Sequence, residues 1–270
     1  MIKSEKSLCR ILKFSLEELR EIESNIDSYY KPFPKKEYYP DGRLKKIRIC
    51  APSSGELLLI HGRLASLLKQ FPISNAAHGG VEGRSHITNT LVHWGNQFSF
   101  TSDLKNFFPS IKPPTVYQLM LSLGFSPKVS AHIARLVTYK GAVPLGIKTS
   151  TLIANLVLRP MDEQIEQFAH VHGLRYSRHI DDITISGKYP LNGLSAEICS
   201  IIAKSGFKIN RKKVHVRSGR HDITGTFLTR DSIDVNAGLL EKIKYSKPGS
   251  DRLKTLLAYR VYVTKARPIL

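Results

Sequence analysis

Two adjacent aspartates, Asp181 and Asp182, stand inside a stretch that otherwise reads as β-structure, and they constrain this chain more than any other feature. Leu174–Ile180 precedes them and Ile183–Ser186 follows, each patterned as a strand. So tight a link makes the two strands turn back on each other as an antiparallel hairpin, with the acids at its tip. Acids are ordinary in exposed turns. Between Ile180 and Ile183-Thr184-Ile185 they are a poor choice for solubility, because neighbouring like charges repel unless a cation joins them. A third acid, Asp103, closes a short strand, Gln97–Ser102. One carboxylate at a strand end and a pair on a neighbouring hairpin suit hard divalent cations, since Mg²⁺ takes few protein oxygens and fills its shell with water and phosphate. Phosphoryl transfer between nucleotides uses two such ions, about 3.5–4 Å apart.

The charge narrows the partner. Lys and Arg number 41 against 22 Asp and Glu, a net +19 with a pI near 9.9. Such an excess points to a polyanion, nucleic acid first and an anionic membrane surface as its competitor. No apolar run is long enough to span a bilayer and Met1–Arg20 lacks a signal-peptide core, so no membrane partner and a cytoplasmic location are expected. Between Lys204 and Leu270 there are 16 Lys and Arg against 5 Asp and Glu, so over half the excess lies in the last quarter. Cys9, Cys50 and Cys199 are odd in number and far apart, which fits reduced thiols. His170, His172, His61, His86 and His93 lack metal-ligand spacing, and no zinc site is expected. Lone Trp94 reads as a packing residue.

Along the chain, Ser15-Leu-Glu-Glu18 is a capping-box signature that predicts an amphipathic helix through Leu16, Leu19, Ile22 and Ile26. Lys31–Pro40, rich in Pro and Lys, reads as a connector, and Leu44–Cys50 as a basic strand. Helices are predicted over Glu56–Phe71, Thr115–Leu123, Ser126–Tyr139, Thr149–Ala169 (with a kink at Pro160) and Ser195–Lys204, and two basic helices within Gly238–Lys265. Asn75–Thr88 reads as a Gly-, His- and Arg-rich loop, Gly141–Gly146 as a turn, and Val214–Arg217 and Ile223–Leu228 as strands completing the sheet.

Phe100-Thr-Ser-Asp-Leu-Lys-Asn-Phe-Phe-Pro-Ser-Ile111 resembles the first catalytic motif of retron-type bacterial reverse transcriptases, and His179-Ile-Asp-Asp182 their aromatic-X-Asp-Asp box. Val143-Pro-Leu-Gly-Ile-Lys-Thr-Ser-Thr151 is similar to their Pro-Gln-Gly…Ser-Pro motif. Lys46-Ile-Arg48 with Ala51-Pro-Ser53, and His78-Gly…Gly83-Arg-Ser85, look like parts of the fingers, and Asn75-Ala-Ala-His78 like a retron box. Gly206-Phe-Lys-Ile-Asn210…Lys213 and Ile223-Thr-Gly225 resemble the later palm and the retron Val-Thr-Gly box. These matches run in family order from about residue 40 to 230. Three positions depart: Leu145 replaces a Gln that helps position nucleotide or template, His179 replaces Tyr or Phe, and Thr151 replaces Pro.

The resemblance implies an α+β right-hand polymerase with a ferredoxin-like palm: N-terminal helix and fingers over 1–97, palm over 98–230 (with fingers/palm helices in 114–140), and a short basic thumb over 231–270. It implies an RNA-directed DNA polymerase in which Asp103, Asp181, Asp182 and the Leu104 carbonyl hold two Mg²⁺ ions, for which Mn²⁺ could substitute. Lys46 and Arg48 would grip the incoming dNTP, with a basic edge strand as their alternative role. Arg84 would hold template or nucleotide phosphate, Leu145 would face nucleotide or template, and Phe108 would gate the sugar or else be core. Lys213 would be the general acid, with Arg211 and Lys212 crowding the same position. The implied partners are a structured noncoding RNA as template, the DNA product and an effector protein encoded nearby, in antiphage defence. Two other readings stay open: a template-independent or atypical nucleotide polymerase, and a catalytically idle RNA-binding scaffold. The oligomeric state is left undetermined.

Overall fold

In the computed structural model, residues 2–38, 43–191 and 193–268 are described. Helices α1 (Glu5–Leu12) and α2 (Leu16–Ser24) open the chain. The capping box predicted for α2 is present: Ser15 Oγ accepts from the Glu18 amide, and the Glu18 carboxylate accepts from the Ser15 amide at 2.6 Å. Helix α1, started by a Ser4 cap, is not among the predicted helices.

Strands β1 (Phe33–Tyr38) and β2 (Leu44–Cys50) form a two-stranded ribbon. The expected connector over Lys31–Pro40 is therefore largely a strand; its last two residues, Tyr39 and Pro40, lie outside the described residues. In a ribbon of two strands both are edges, so Pro34 and the lysines beside it are tolerated. Helices α3 (Gly55–Leu68) and α4 (His86–Leu91) follow, the second beginning at the end of the loop read over Asn75–Thr88. Then come β3 (Phe98–Asp103), α5 (Phe107–Ser110), α6 (Pro113–Ser122), α7 (Pro127–Leu136) and α8 (Ser150–Val171). Ser126 caps α7 ahead of Pro127, as predicted. Helix α8 contains Pro160 within a continuous helical span.

Next are β4 (Arg175–His179), β5 (Asp182–Gly187), α9 (Leu194–Lys204) and β6 (His215–Ser218). The sheet order β4-β5-β3-β6, all antiparallel, is that of a ferredoxin-like βαββαβ unit in which the first strand lies between the third and fourth. The span Ile223–Leu228 does not complete this sheet. Thr224 (φ +45°) and Gly225 (φ +87°) break it into a hairpin of β7 (His221–Ile223) and β8 (Thr226–Leu228), which joins β9 (Ile233–Val235) in a second sheet. The expected two C-terminal helices are α10 (Ala237–Lys244) and α11 (Asp251–Lys265).

Two compact units interleave along the chain: Met1–Glu37, Lys46–Ile73 and Asn106–Arg159 make one, and Tyr38–Lys45, Ser74–Lys105 and Pro160–Leu270 the other. The first is mainly helical, its core including Leu8, Leu12, Leu57, Ile60, Leu64 and Met120. The second holds the four-stranded sheet and a satellite core of Ile87, Ile223, Leu228, Ile233, Val235 and Val263, against which Trp94 packs. Among the described residues no helix is long and apolar enough to cross a membrane.

Candidate active site

Register brings the acids together. Across β3 and β5, Asp103 pairs directly with Asp182, and Phe100 with Ile185 beneath them. His179 pairs with Asp182 across β4 and β5, so Ile180 and Asp181 alone form the hairpin loop. The Leu104 amide donates to the Asp181 carbonyl at 3.0 Å, tying the end of β3 to that loop. On the other side of β3, Lys105 N donates to Lys208 O at 2.6 Å and Asn210 N to Asp103 O at 2.9 Å, laying the 206–210 segment beside the site. A short 3₁₀ turn, Arg211–Lys213, then carries Lys213 over Asp103, its Nζ 2.9 Å from Oδ2. Of the three crowded basic residues, Lys213 is the one whose ammonium reaches this carboxylate.

Asp103 is buried, and its second oxygen, Oδ1, is enclosed without a hydrogen-bond partner. A buried carboxylate oxygen left unpaired is costly, and such atoms are commonly completed by an ion or water. With Asp182 and Lys213 it lines a cavity of about 140 Å³ that also touches Thr101, His215, Asp222 and Thr224. Hard carboxylate oxygens around a small open cavity fit Mg²⁺, which keeps several waters. Among the described residues no three His, Cys, Asp or Glu side chains are gathered into a group able to hold a metal ion; Asp103 and Asp182 line this cavity, and Asp181 is not among its lining residues.

The hairpin is supported from behind. His93 contacts Ser177 Oγ of β4 at 2.7 Å and Ser186 Oγ of β5 at 2.6 Å. Burial drives its pKa down to about 3, so it serves as a neutral bridge. His78 contacts Thr88 Oγ1 at 2.8 Å, and burial, helped by Arg84 and His179, lowers it to about 4. Gly79 packs against the loop itself: a Cβ there would lie 2.5 Å from Ile180 N and 2.6 Å from Ile180 Cγ1. A second cavity, of about 510 Å³, is lined by His86, His179, Thr224, Asn236, Lys242 and Tyr259 among others.

Arg84 also lies in this unit, where one guanidinium nitrogen donates to the carbonyls of Ser74, Asn75 and Ala77 at 3.2, 2.9 and 2.7 Å and so shapes the loop. The remaining candidates belong to the other unit. Lys46 and Arg48 are on β2, with Arg48 Nε 2.9 Å from Glu37 Oε1 of β1. The Leu145 carbonyl accepts from the Ala51 amide at 2.7 Å, which sets the Pro144-Leu145-Gly146 turn beside the end of β2. Phe108 is 8% exposed with its ring centroid 5.4 Å from that of Phe107, so both rings are buried. Sequence reasoning missed Asp162 and Arg178, a buried ion pair beneath the hairpin; its one sequence signal is an arginine in a strand otherwise facing the core.

A ferredoxin-like sheet with one acid closing its central strand and two at the adjoining hairpin defines the palm of a template-copying polymerase. The model of the family "Reverse transcriptase (RNA-dependent DNA polymerase)" matches residues 44–245. Similar curated proteins are the retron Ec86 reverse transcriptase of Escherichia coli (27% identical over 242 residues, 88% of this chain and 75% of that one) and the retron Se72 reverse transcriptase of Salmonella heidelberg (28% over 261 residues, 96% and 67%). The retron Mx65 reverse transcriptase of Myxococcus xanthus is 33% identical over 184 residues, 60% of this chain and 43% of that one. Two telomerase structures share the fold: one from Candida albicans (TM-score 0.51, 13% identity, 82% of this chain and 51% of that one) and one from Candida tropicalis (TM-score 0.54, 10%, 77% and 54%). The chain belongs to the reverse transcriptase (RNA-dependent DNA polymerase) family, in its retron-type branch, and has the right-hand polymerase fold.

Proposed function

We propose that this chain copies a structured noncoding RNA into DNA by two-metal nucleotidyl transfer, with Asp103, Asp181, Asp182 and the Leu104 carbonyl as metal ligands. The observation that carries the reading is the direct pairing of Asp103 with Asp182, with one Asp103 oxygen buried and unpartnered. Two Mg²⁺ ions bound there, or Mn²⁺ in their place, would neutralise charge on the attacking and leaving oxygens. A primer hydroxyl attacks the α-phosphate of a dNTP, losing its proton to solvent and forming a new phosphodiester as the bond to pyrophosphate breaks. Lys213, whose ammonium lies 2.9 Å from Asp103 Oδ2, would give pyrophosphate its proton. Lys46 and Arg48 hold the triphosphate and Arg84 a phosphate of template or nucleotide, while Leu145 packs against nucleotide or template and Phe108 lies under the sugar. A cytoplasmic role in antiphage defence, with an effector protein encoded nearby, is the part of this reading that rests on the resemblance to retron-type enzymes alone.

Replacing Asp181 and Asp182 by Asn tests the assignment. Incorporation should fall by several powers of ten, each worth about 1.4 kcal/mol of barrier, while melting temperature and RNA binding hold. Substantial synthesis by the double variant sinks the catalytic reading. Supplying each dNTP singly, with and without an RNA template, separates copying from untemplated addition, the alternative that Leu145 in place of Gln keeps in play.

A further inference from the structure

Ile180, immediately before Asp181, has φ +57°. A β-branched residue enters that region only when its surroundings impose it. Arg178 grips this turn from within the core. It is 0% exposed, as is Asp162 on α8. Nε and Nη2 of Arg178 form a fork on Asp162 Oδ1 and Oδ2 at 2.9 and 2.6 Å, and Tyr176 OH donates to Oδ1 at 2.6 Å. Nη1 donates in the opposite direction, to the Ile180 carbonyl at 2.6 Å. That carbonyl belongs to the peptide unit whose nitrogen is Asp181's. The Arg178 backbone is fixed as well, N to Ala76 O and O from His78 N, both at 2.7 Å. A planar guanidinium anchored on one side by a carboxylate presents its remaining donor in a set direction, which a lysine cannot do.

We infer that Arg178, anchored by Asp162, is a positioning residue that holds the strained Ile180–Asp181 peptide so that Asp181 and Asp182 present their carboxylates to metal. The inference rests on the metal reading of those aspartates. The bland alternative is an ion pair that merely fastens α8 to β4; it predicts lost stability with unchanged metal affinity in the folded protein.

The experiment uses the full chain. Mn²⁺ binding is measured by electron paramagnetic resonance without nucleotide, alongside hydrogen exchange at the Leu104 amide, whose bond to Asp181 O reports the hairpin's position. Arg178→Lys keeps a cation beside Asp162 but loses the fork. The double variant Asp162→Asn/Arg178→Gln removes both buried charges, so that neither is left unpaired. Both should fold and bind RNA within about twofold of wild type, yet bind Mn²⁺ about tenfold more weakly and exchange Leu104 faster, an effect of order 1.4 kcal/mol on the metal. Wild-type Mn²⁺ affinity and Leu104 protection in either folded variant would overturn the inference, as would failure of both to fold, which assigns the pair to fastening alone. If wild type itself binds no Mn²⁺, the metal reading fails, and Leu104 exchange alone decides whether Arg178 sets the turn.

Discussion

The β4–β5 hairpin carries candidate catalytic residues and the β1–β2 ribbon candidate nucleotide-binding ones, yet they are built in opposite ways. In β4–β5 the loop has two residues, one strand lies inside a four-stranded sheet, buried His93 and Gly79 pack against it, and buried Arg178 of β4 braces its loop from within. The ribbon has two strands only, and Phe33, Tyr38, Leu44, Ile47 and Ile49 are all exposed. The contrast fits what each is proposed to hold. Carboxylates sharing metal ions repel one another and have to be fixed to within a fraction of an ångström, so the scaffold is over-determined. Cations that grip a triphosphate act as long reaching charges, and for these an exposed strand suffices.

The sharpest way to break the comparison is at Gly79. Any Cβ there meets the Ile180 backbone nitrogen at 2.5 Å, so either the loop or the hairpin must move. Gly79→Ala should destabilise the protein by about 1–3 kcal/mol and lower synthesis by at least about tenfold through displacement of Asp181. Thermal melting and single-turnover extension on one preparation measure both; an unaltered extension rate would show that the hairpin tolerates what its packing forbids.

The ribbon should behave otherwise. Arg48, with a side chain 37% exposed and ion-paired to partly exposed Glu37, contributes little to folding. Lys46→Ala and Arg48→Ala should leave stability within about 0.5 kcal/mol of wild type and raise KM for dNTP by about tenfold, as expected when a charged hydrogen bond to phosphate is lost. Steady-state kinetics with varied dNTP checks this. A fall in melting temperature without a change in KM would make the two residues ordinary edge-strand cations.

What was legible in the sequence follows the same division. Strand alternation and the aspartate pair located β3, β4 and β5 to within a residue or two, because local pattern and burial agree there. The Ser15–Glu18 box and Ser126-Pro127 marked helix starts through purely local bonds. Strand β1 was hidden because Pro34, Lys35 and Lys36 have loop chemistry and become a strand only through their partner. The β7–β8 hairpin was hidden behind an apolar run whose turn, Thr224-Gly225, contributes one glycine. Least legible was the support of the site: Arg178 meets Asp162 from another element, and an arginine in a core-facing strand does not by itself name its partner.

Acidity offers the finest test, with the smallest effect. The histidines behind the β4–β5 hairpin, His78 and His93, are lowered to about 4 and about 3, chiefly by burial. Above an unfolded value near 6.5 they are neutral in both states and contribute no pH dependence; as pH falls below that value the unfolded chain takes up protons that the folded one refuses, and stability declines. His132 on α7 behaves in the reverse sense. Burial opposes its charge, but bonds to Glu5 of α1 at 3.0 Å and Glu23 of α2 at 2.5 Å outweigh it and raise its pKa, with Lys128 and Arg135 also facing these acids. Its contribution is complete below about 6.5 and is lost as pH rises through the raised value. Glu5, lowered chiefly by its bond to His132, sets the acid limit of the same latch: its share is lost as pH falls through its own depressed pKa. Raising the pH from about 6 to about 8.5 should therefore speed exchange of α1 and α2 amides several-fold, after correction for intrinsic rates, while β4 and β5 keep their protection. His132→Gln should remove the difference, since an uncharged amide between two carboxylates has no proton to lose over that range. Equal pH sensitivity in both regions would mean that the His132 contacts do not bear on the N-terminal helices and that the helices and the hairpin open together.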